Sequence, residues 1–170
     1  MADKKRSSYS YWVVSNRLMA GDYPGVQNPG NPLRWLVSIC YSILASVRTP
    51  SKGWYGSSAR FKELIQSGIN SFVDLTEQTE LPEYASTLNN IGRLNGLDIR
   101  YARWPIKDRT VPPHQYMSGI LDYIDQELAA GRNVYVHCLR GLGRTGITVG
   151  CYMVRHGQTG PESVDELHHL

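Results

Sequence analysis

The sequence predicts an α/β fold, a single domain with a central, mostly parallel, twisted sheet flanked by helices. Two observations carry this expectation. Short β-branched or aromatic runs alternate along the chain with longer stretches of helical periodicity, the layout of strands joined by crossover helices. Second, Val134-Tyr135-Val136 leads through a loop containing Gly141 and Gly143 into a helical pattern from Ile147 to Val154. A strand, a glycine-rich loop and a helix in that order make an anion cradle. A chain of 170 residues is large enough to close one such core.

The elements follow in order. Residues 1–10 are polar and charged and predict a poorly ordered tail, leaving 11–170 as the domain. Residues 11–24 read as two short strands about a turn at Ser15-Asn16. Helix signals start near Ser58, with Phe61, Leu64 and Ile65 on one face and Gly68 as the stop. Residues 69–75 form a strand. Pro82 opens a helix to about Leu94, with Gly96 beyond it, and residues 97–102 form the next strand. Pro113 opens a helix in which Tyr116, Ile120, Ile124 and Leu128 repeat at i, i+4 spacing, a core stripe that Gly131 ends. Residues 133–136 are the last strand, residues 147–155 a helix ending at His156-Gly157, and Pro161 starts a final helical segment. No internal repeat is evident.

Residues 33–59 are an atypical apolar insertion. The run 33–47 is too short and interrupted for a membrane span, which needs about 20 residues. It reads as an insertion helix packed on the domain, with a membrane-surface or protein contact as the sharper alternative.

Composition narrows the function classes. A net charge of +3 suits an anionic substrate, and the scattered basic residues contain no run of the kind that forms a nucleic-acid arm. Three cysteines, Cys40, Cys138 and Cys151, are too few and too odd for a disulfide framework. They fit a reducing compartment, so a cytoplasmic location is expected. No apolar signal core follows Met1-Ala2-Asp3-Lys4-Lys5-Arg6, and secretion is not expected. No metal-ligand cluster appears, His168 and His169 being adjacent and terminal, so neither metal nor cofactor is expected.

The chemistry concentrates in residues 137–146, His-Cys-Leu-Arg-Gly-Leu-Gly-Arg-Thr-Gly. Cys138 lies where inward backbone N–H groups and a helix N-terminus stabilise a thiolate. Arg144, six positions on, supplies a planar, permanently charged fork suited to two phosphate oxygens. The run resembles the signature of the cysteine-dependent protein tyrosine phosphatase superfamily, His-Cys-x5-Arg-Ser/Thr, and Gly141 and Gly146 also match. Beyond it, Trp12-Val13-Val14, Leu18-Met19-Ala20-Gly21-Asp22-Tyr23-Pro24 and Phe72-Val73-Asp74-Leu75-Thr76 are similar to the dual-specificity branch.

The resemblance implies a dual-specificity phosphatase-like fold and a metal-independent phosphomonoester hydrolase acting on phosphotyrosine and phosphoserine/threonine. Cys138 thiolate would attack phosphorus and form a cysteinyl-phosphate. The N–H groups of Leu139, Arg140, Gly141, Leu142, Gly143 and Arg144, with the Arg144 guanidinium, would hold the equatorial oxygens. In that family the histidine before the nucleophile is a buried loop organiser, the role implied for His137. Thr145 would donate to the sulfur and improve it as a leaving group in the second step. A general acid must come from elsewhere, and Asp108 is the candidate. It lies thirty residues before Cys138 in the proline-bounded run 104–112, at a strand end on the edge where the Cys138 loop emerges. Asp122 and Asp125 fall inside a helix, Asp74 ends a different strand, and Asp98 starts the strand leading to the loop. Cys151 reads as core. Oxidation of Cys138 should inactivate the enzyme. Family members also carry a longer closing helix, so the C-terminal helix here is expected to be shortened.

A chain of this size has little room for a phosphotyrosine-recognition loop, so a shallow pocket is implied. Arg140 in the loop, and Lys107 and Arg109 beside the acid, keep a polyanionic substrate open, such as a phosphoinositide or an RNA 5′-phosphate end. Three rivals stand beside the main reading. A non-catalytic phosphate-binding module would use the same cradle. Another Cys-x5-Arg enzyme, of the low-molecular-weight phosphatase, arsenate reductase or rhodanese type, would share the spacing; the low-molecular-weight type carries its loop near the N-terminus. The third is a lipid-surface enzyme anchored through residues 33–47.

Overall fold

The computed structural model describes residues 10–25, 55–81 and 83–169. The apolar run 33–47, Cys40 and most of the predicted tail and insertion lie outside them. The chain divides into two compact units, residues 1–23 with 68–170, and residues 24–67. In the second, residues Tyr55–Gln66 form helix α1, starting a turn before the predicted Ser58, and Arg60 pairs with Glu63 at 2.9 Å along it.

The first unit carries the sheet. Its strands are β1 (Ser10–Val14), β2 (Leu18–Gly21), β3 (Ser71–Asp74), β4 (Arg100–Arg103) and β5 (Val134–His137). Their spatial order is β1-β2-β5-β3-β4. The β1–β2 hairpin is antiparallel, turning at Asn16 with φ 56°, and every other pairing is parallel. The helices are α2 (Ala85–Asn95), α3 (His114–Ala129), α4 (Gly143–Arg155) and α5 (Gly160–His169).

β5 is central, and it is buried on both faces like its neighbours β2 and β3, as strands of a covered parallel sheet are. The period of two sorts its side chains. Val134 and Val136 join Val73, Leu75 and Cys138 in a core with Met117, Ile120, Leu121 and Ile124 of α3 and Val149, Tyr152 and Met153 of α4. Tyr135 and His137 point the other way and meet Phe72, Tyr23 and Tyr84 in an aromatic cluster with ring centroids 5.6–6.2 Å apart. Each fully buried aliphatic or aromatic side chain here contributes roughly 1.5–3 kcal/mol. Strand register then places the functional ends: Asp74 lies opposite His137, so the C-terminal ends of β3 and β5 open onto one edge.

Two element boundaries differ from the sequence reading in ways that matter. The final strand before the acid segment begins at Arg100 rather than at 97, because the Leu97 N–H still caps α2 by donating to Gly92 O at 2.9 Å. Gly96, at φ 66°, makes that cap. The helix after the cradle begins at Gly143 rather than at 147. Two glycines in its first turn hide the helical pattern, while burial of Thr145, Thr148 and Val149 holds it. Arg144 and Thr145 therefore sit in the first turn of a helix and not in a loop.

Candidate active site

The cradle runs from Cys138, at the end of β5, to the first turn of α4. No side-chain cap satisfies the start of α4, so its first N–H groups are left for an anion. The loop rests on the end of β2. Tyr23 N–H donates to Leu139 O at 3.3 Å, and Tyr135 O–H donates to Asp22 O at 2.7 Å. Gly141 turns the loop at φ 72° directly against this plate; a Cβ there would lie 2.5 Å from Gly21 C and 2.8 Å from Asp22 N. Cys138 is buried at the floor, and Arg140 and Leu142 are exposed at the rim.

Arg144 is the organising charge. Its side chain is only 3% exposed. Nη1 and Nη2 each donate to a separate Glu80 oxygen at 2.6 Å, a bidentate pair, and Nη1 also donates to Ile106 O at 3.1 Å. The hydrogen bonds from Arg144 hold the Glu80 carboxyl below its ordinary value, and the same bonds raise the guanidinium's affinity for its proton. The Glu80 carboxylate is itself fixed by Glu77 N–H at 3.2 Å. Sequence reasoning missed Glu80 entirely, since an exposed-looking glutamate in a turn sixty-four residues before Arg144 carries no local signal.

Asp108 arrives by continuation of the sheet. Trp104 N–H donates to Asp74 O at 2.8 Å and Ile106 N–H to Leu75 O at 3.1 Å, which leads the chain past the Cys138 edge. Asp108 Oδ1 then stands 3.5 Å from Arg144 Nη2, with its carboxyl largely exposed. The predicted acid and the predicted clamp are thus brought together, whereas Asp122 and Asp125 lie apart in α3, where they pair with Arg155. Asp98 precedes β4 rather than starting it, and pairs with Arg132 at 3.3 Å.

Beneath the loop, His137 is fully buried. Its Nδ1 faces Cys138 O at 3.2 Å and its Nε2 shares a short hydrogen bond with the Tyr84 hydroxyl. Burial pushes the imidazole below its ordinary value of 6.5 despite the pull of Asp74, so it is neutral at pH 7. Asp74 lies beside it: burial pushes its carboxyl up, but two hydrogen bonds from Thr76 and the Arg103 guanidinium help hold it below its ordinary value. Arg103 Nη2 and Tyr101 O–H each reach Asp74 Oδ2 at 2.9 Å, so one carboxylate ties β3 to β4 just before the acid segment. Thr145 Oγ1 is buried with no hydrogen-bond partner among the described residues. Cys151, expected in the core, is half-buried and lines an apolar groove of about 800 Å³ between α3, α4 and α5, where burial pushes its thiol up.

The neutral His137 makes stability pH-dependent. Its folded-state value lies below the unfolded 6.5, so on acidification the unfolded chain takes the proton first and stability falls as pH drops through about 6.5. Denaturant midpoints should therefore be lower at pH 5.5 than at pH 7.5, with a smaller difference in His137→Gln.

A cysteine and arginine held around an N–H cradle at the C-terminal edge of a parallel sheet define the cysteine-dependent protein tyrosine phosphatase class, in its dual-specificity-like branch. Residues 51–158 match the family model Tc-R-P, described as "Polymorphic toxin system, DSP-PTPase phosphatase". The chain belongs to this DSP-PTPase phosphatase family. It is 29% identical over 106 residues to "Putative tyrosine phosphatase 067L" of Invertebrate iridescent virus 3, covering 59% of this chain and 40% of that protein. It is 30% identical over 110 residues to the tyrosine-protein phosphatase CDC14 homolog of Schizosaccharomyces pombe (strain 972 / ATCC 24843), covering 60% of this chain and 19% of that protein. The matched parts thus span less than half of either relative. Among solved structures, the active form of Tk-PTP superposes with a TM-score of 0.57 at 24% identity, covering 72% of this chain and 75% of that one. Kinase associated phosphatase superposes with a TM-score of 0.60 at 19% identity, covering 90% and 74%. Both share the fold.

Proposed function

We propose that the chain is a metal-independent phosphomonoester hydrolase, a dual-specificity protein phosphatase acting on phosphotyrosine and phosphoserine/threonine through a cysteinyl-phosphate. The observation that supports this reading is the convergence on Arg144, six residues after Cys138, where Glu80 holds the guanidinium in a bidentate pair and Asp108 stands 3.5 Å from its Nη2.

The residues assign the steps. The substrate's three non-bridging oxygens take the N–H groups of residues 139–144 and the Arg144 fork, preorganised donors that need no rearrangement as charge shifts to the transition state. Cys138 thiolate attacks phosphorus in line. The bond to the leaving oxygen breaks, and Asp108 gives that oxygen its proton. In the second step Asp108, now ionised, takes a proton from water, which attacks the phosphorus and expels the Cys138 thiolate. Thr145 Oγ1, lacking another partner among the described residues, donates to the departing sulfur. His137 stays neutral and holds the Cys138 carbonyl, taking no part in proton transfer. A thiolate nucleophile is kept active by reducing conditions, which supports a cytoplasmic location.

Purified, reduced protein should release phosphate from phosphotyrosine and phosphothreonine peptides at the same rate with and without a chelator. Asp108→Asn should lower kcat by about 10²–10⁴-fold, the usual worth of a general acid, for leaving groups that need a proton. Binding of the peptides without release would instead identify a phosphate-recognition module. Glu80→Gln should lower kcat/KM by roughly tenfold or more, as losing one charged hydrogen bond costs about 1.5–3 kcal/mol. An unchanged kcat/KM would show that the Arg144 fork is held without Glu80.

A further inference from the structure

We infer that Arg109 is a specificity-determining residue that binds a second phosphate on a polyphosphorylated substrate, an inference that rests on the Cys138 loop being the phosphate site. Three observations carry it. Arg109 Nε stands 3.8 Å from Asp108 Oδ2, while Arg144 Nη2 stands 3.5 Å from Asp108 Oδ1. Two guanidiniums therefore flank opposite oxygens of one carboxylate, one inside the cradle and one outside it. Asp108 must carry a proton to act as the acid, and in that state it no longer balances either cation. Arg144 is then met by the scissile phosphate and by Glu80. Arg109, whose side chain is 93% exposed, keeps no acidic partner in ion-pair range among the described residues.

The backbone supplies the second observation. Arg109 has φ 58°, in the left-handed region, within a turn closed by Thr110 N–H and Thr110 Oγ1 donating to Lys107 O at 3.2 and 2.8 Å. Such a turn position favours glycine or asparagine. A long arginine held there is strained, and strain of this kind persists where a function requires the side chain. The third observation is sign. Lys107 on the same turn and Arg140 on the cradle are both exposed, so the rim beyond Asp108 is cationic. A planar arginine fork matches phosphate oxygens in particular.

The test uses the full chain in the catalytically silent Cys138→Ser background, with inorganic phosphate and myo-inositol hexakisphosphate as calorimetric probes. Arg109→Gly should weaken hexakisphosphate binding roughly tenfold, the scale of one charge-assisted contact. Inorganic phosphate, which reaches only the cradle, should lose less than about twofold by the same accounting. Arg109→Lys should recover part of the hexakisphosphate affinity. The Tm of Arg109→Gly should be unchanged or higher, because glycine accepts the backbone conformation; a marked fall would make Arg109 structural and overturn the inference. Equal losses for the two probes, or no loss for hexakisphosphate, would also overturn it while leaving the phosphate site intact. Failure of Cys138→Ser to bind either probe would remove the parent reading as well.

Discussion

Cys138→Ser is expected to abolish phosphate release while sparing phosphate binding. A serine hydroxyl at the floor of the cradle is not ionised near neutral pH, and the adjacent His137 is engaged by Tyr84 and the Cys138 carbonyl instead of taking its proton. The loss should be on the order of 10⁶-fold in kcat, the scale seen when a covalent nucleophile is removed from a site that otherwise stays intact. Binding should persist because the N–H groups and the Arg144–Glu80 pair are untouched. Single-turnover release with a phosphopeptide, paired with calorimetric binding of inorganic phosphate, reads both halves. Residual turnover within tenfold of the unmodified protein would mean that Cys138 is not the nucleophile.

Gly141→Ala should disrupt both the cradle and the stability of the fold. Two costs add. An L residue in the left-handed region costs about 1–2 kcal/mol. The new Cβ would also lie 2.5–2.8 Å from the backbone at Gly21 and Asp22. That backbone is held by Tyr135 O–H and by the β2–β5 ladder and cannot step aside as a side-chain tip could. Overpacking of this kind costs about 1–3 kcal/mol more. A combined loss near 3 kcal/mol is expected in denaturant unfolding, with kcat/KM falling because the N–H groups of residues 139–143 leave their positions. Gly143→Ala is the control. Its Cβ would meet nothing within 4 Å and its φ is not left-handed, so its unfolding midpoint should hold or rise slightly. Equal midpoints for the two variants would refute the steric account.

Much of the fold was legible because β5 is buried on both faces and so carries the short continuous apolar run Val134-Tyr135-Val136, while α3 shows its buried stripe at helical spacing. Boundaries were less legible. The start of α4 was hidden because Gly143 and Gly146 lack helix propensity, and burial of Arg144, Thr145 and Thr148 supplies what propensity does not. At the site, Cys138, Arg144 and Thr145 could be read because the cradle is continuous in sequence. Asp108 was reached through the rule that strand C-terminal ends share an edge, together with the resemblance, which puts an acid on such a loop at about this distance from the cysteine. Glu80, Tyr84 and the Asp74–Arg103 pair could not be read at all, since nothing local distinguishes a turn glutamate or a strand-end aspartate from its solvated counterparts.

The sequence by itself determined the class of chemistry, because a phosphate cradle is built from adjacent residues whose backbone N–H groups, glycines and charges act within one turn of chain. Only the tertiary structure decided how that cradle is held and aimed. The Arg144 fork owes its position to Glu80 from a distant turn, and Gly141 is required by the passing backbone of β2. Asp108 and Arg109 gain their relation to Arg144 only when β4 pairs beside β3. Interactions that depend on through-space distance between remote segments leave no trace in the order of residues.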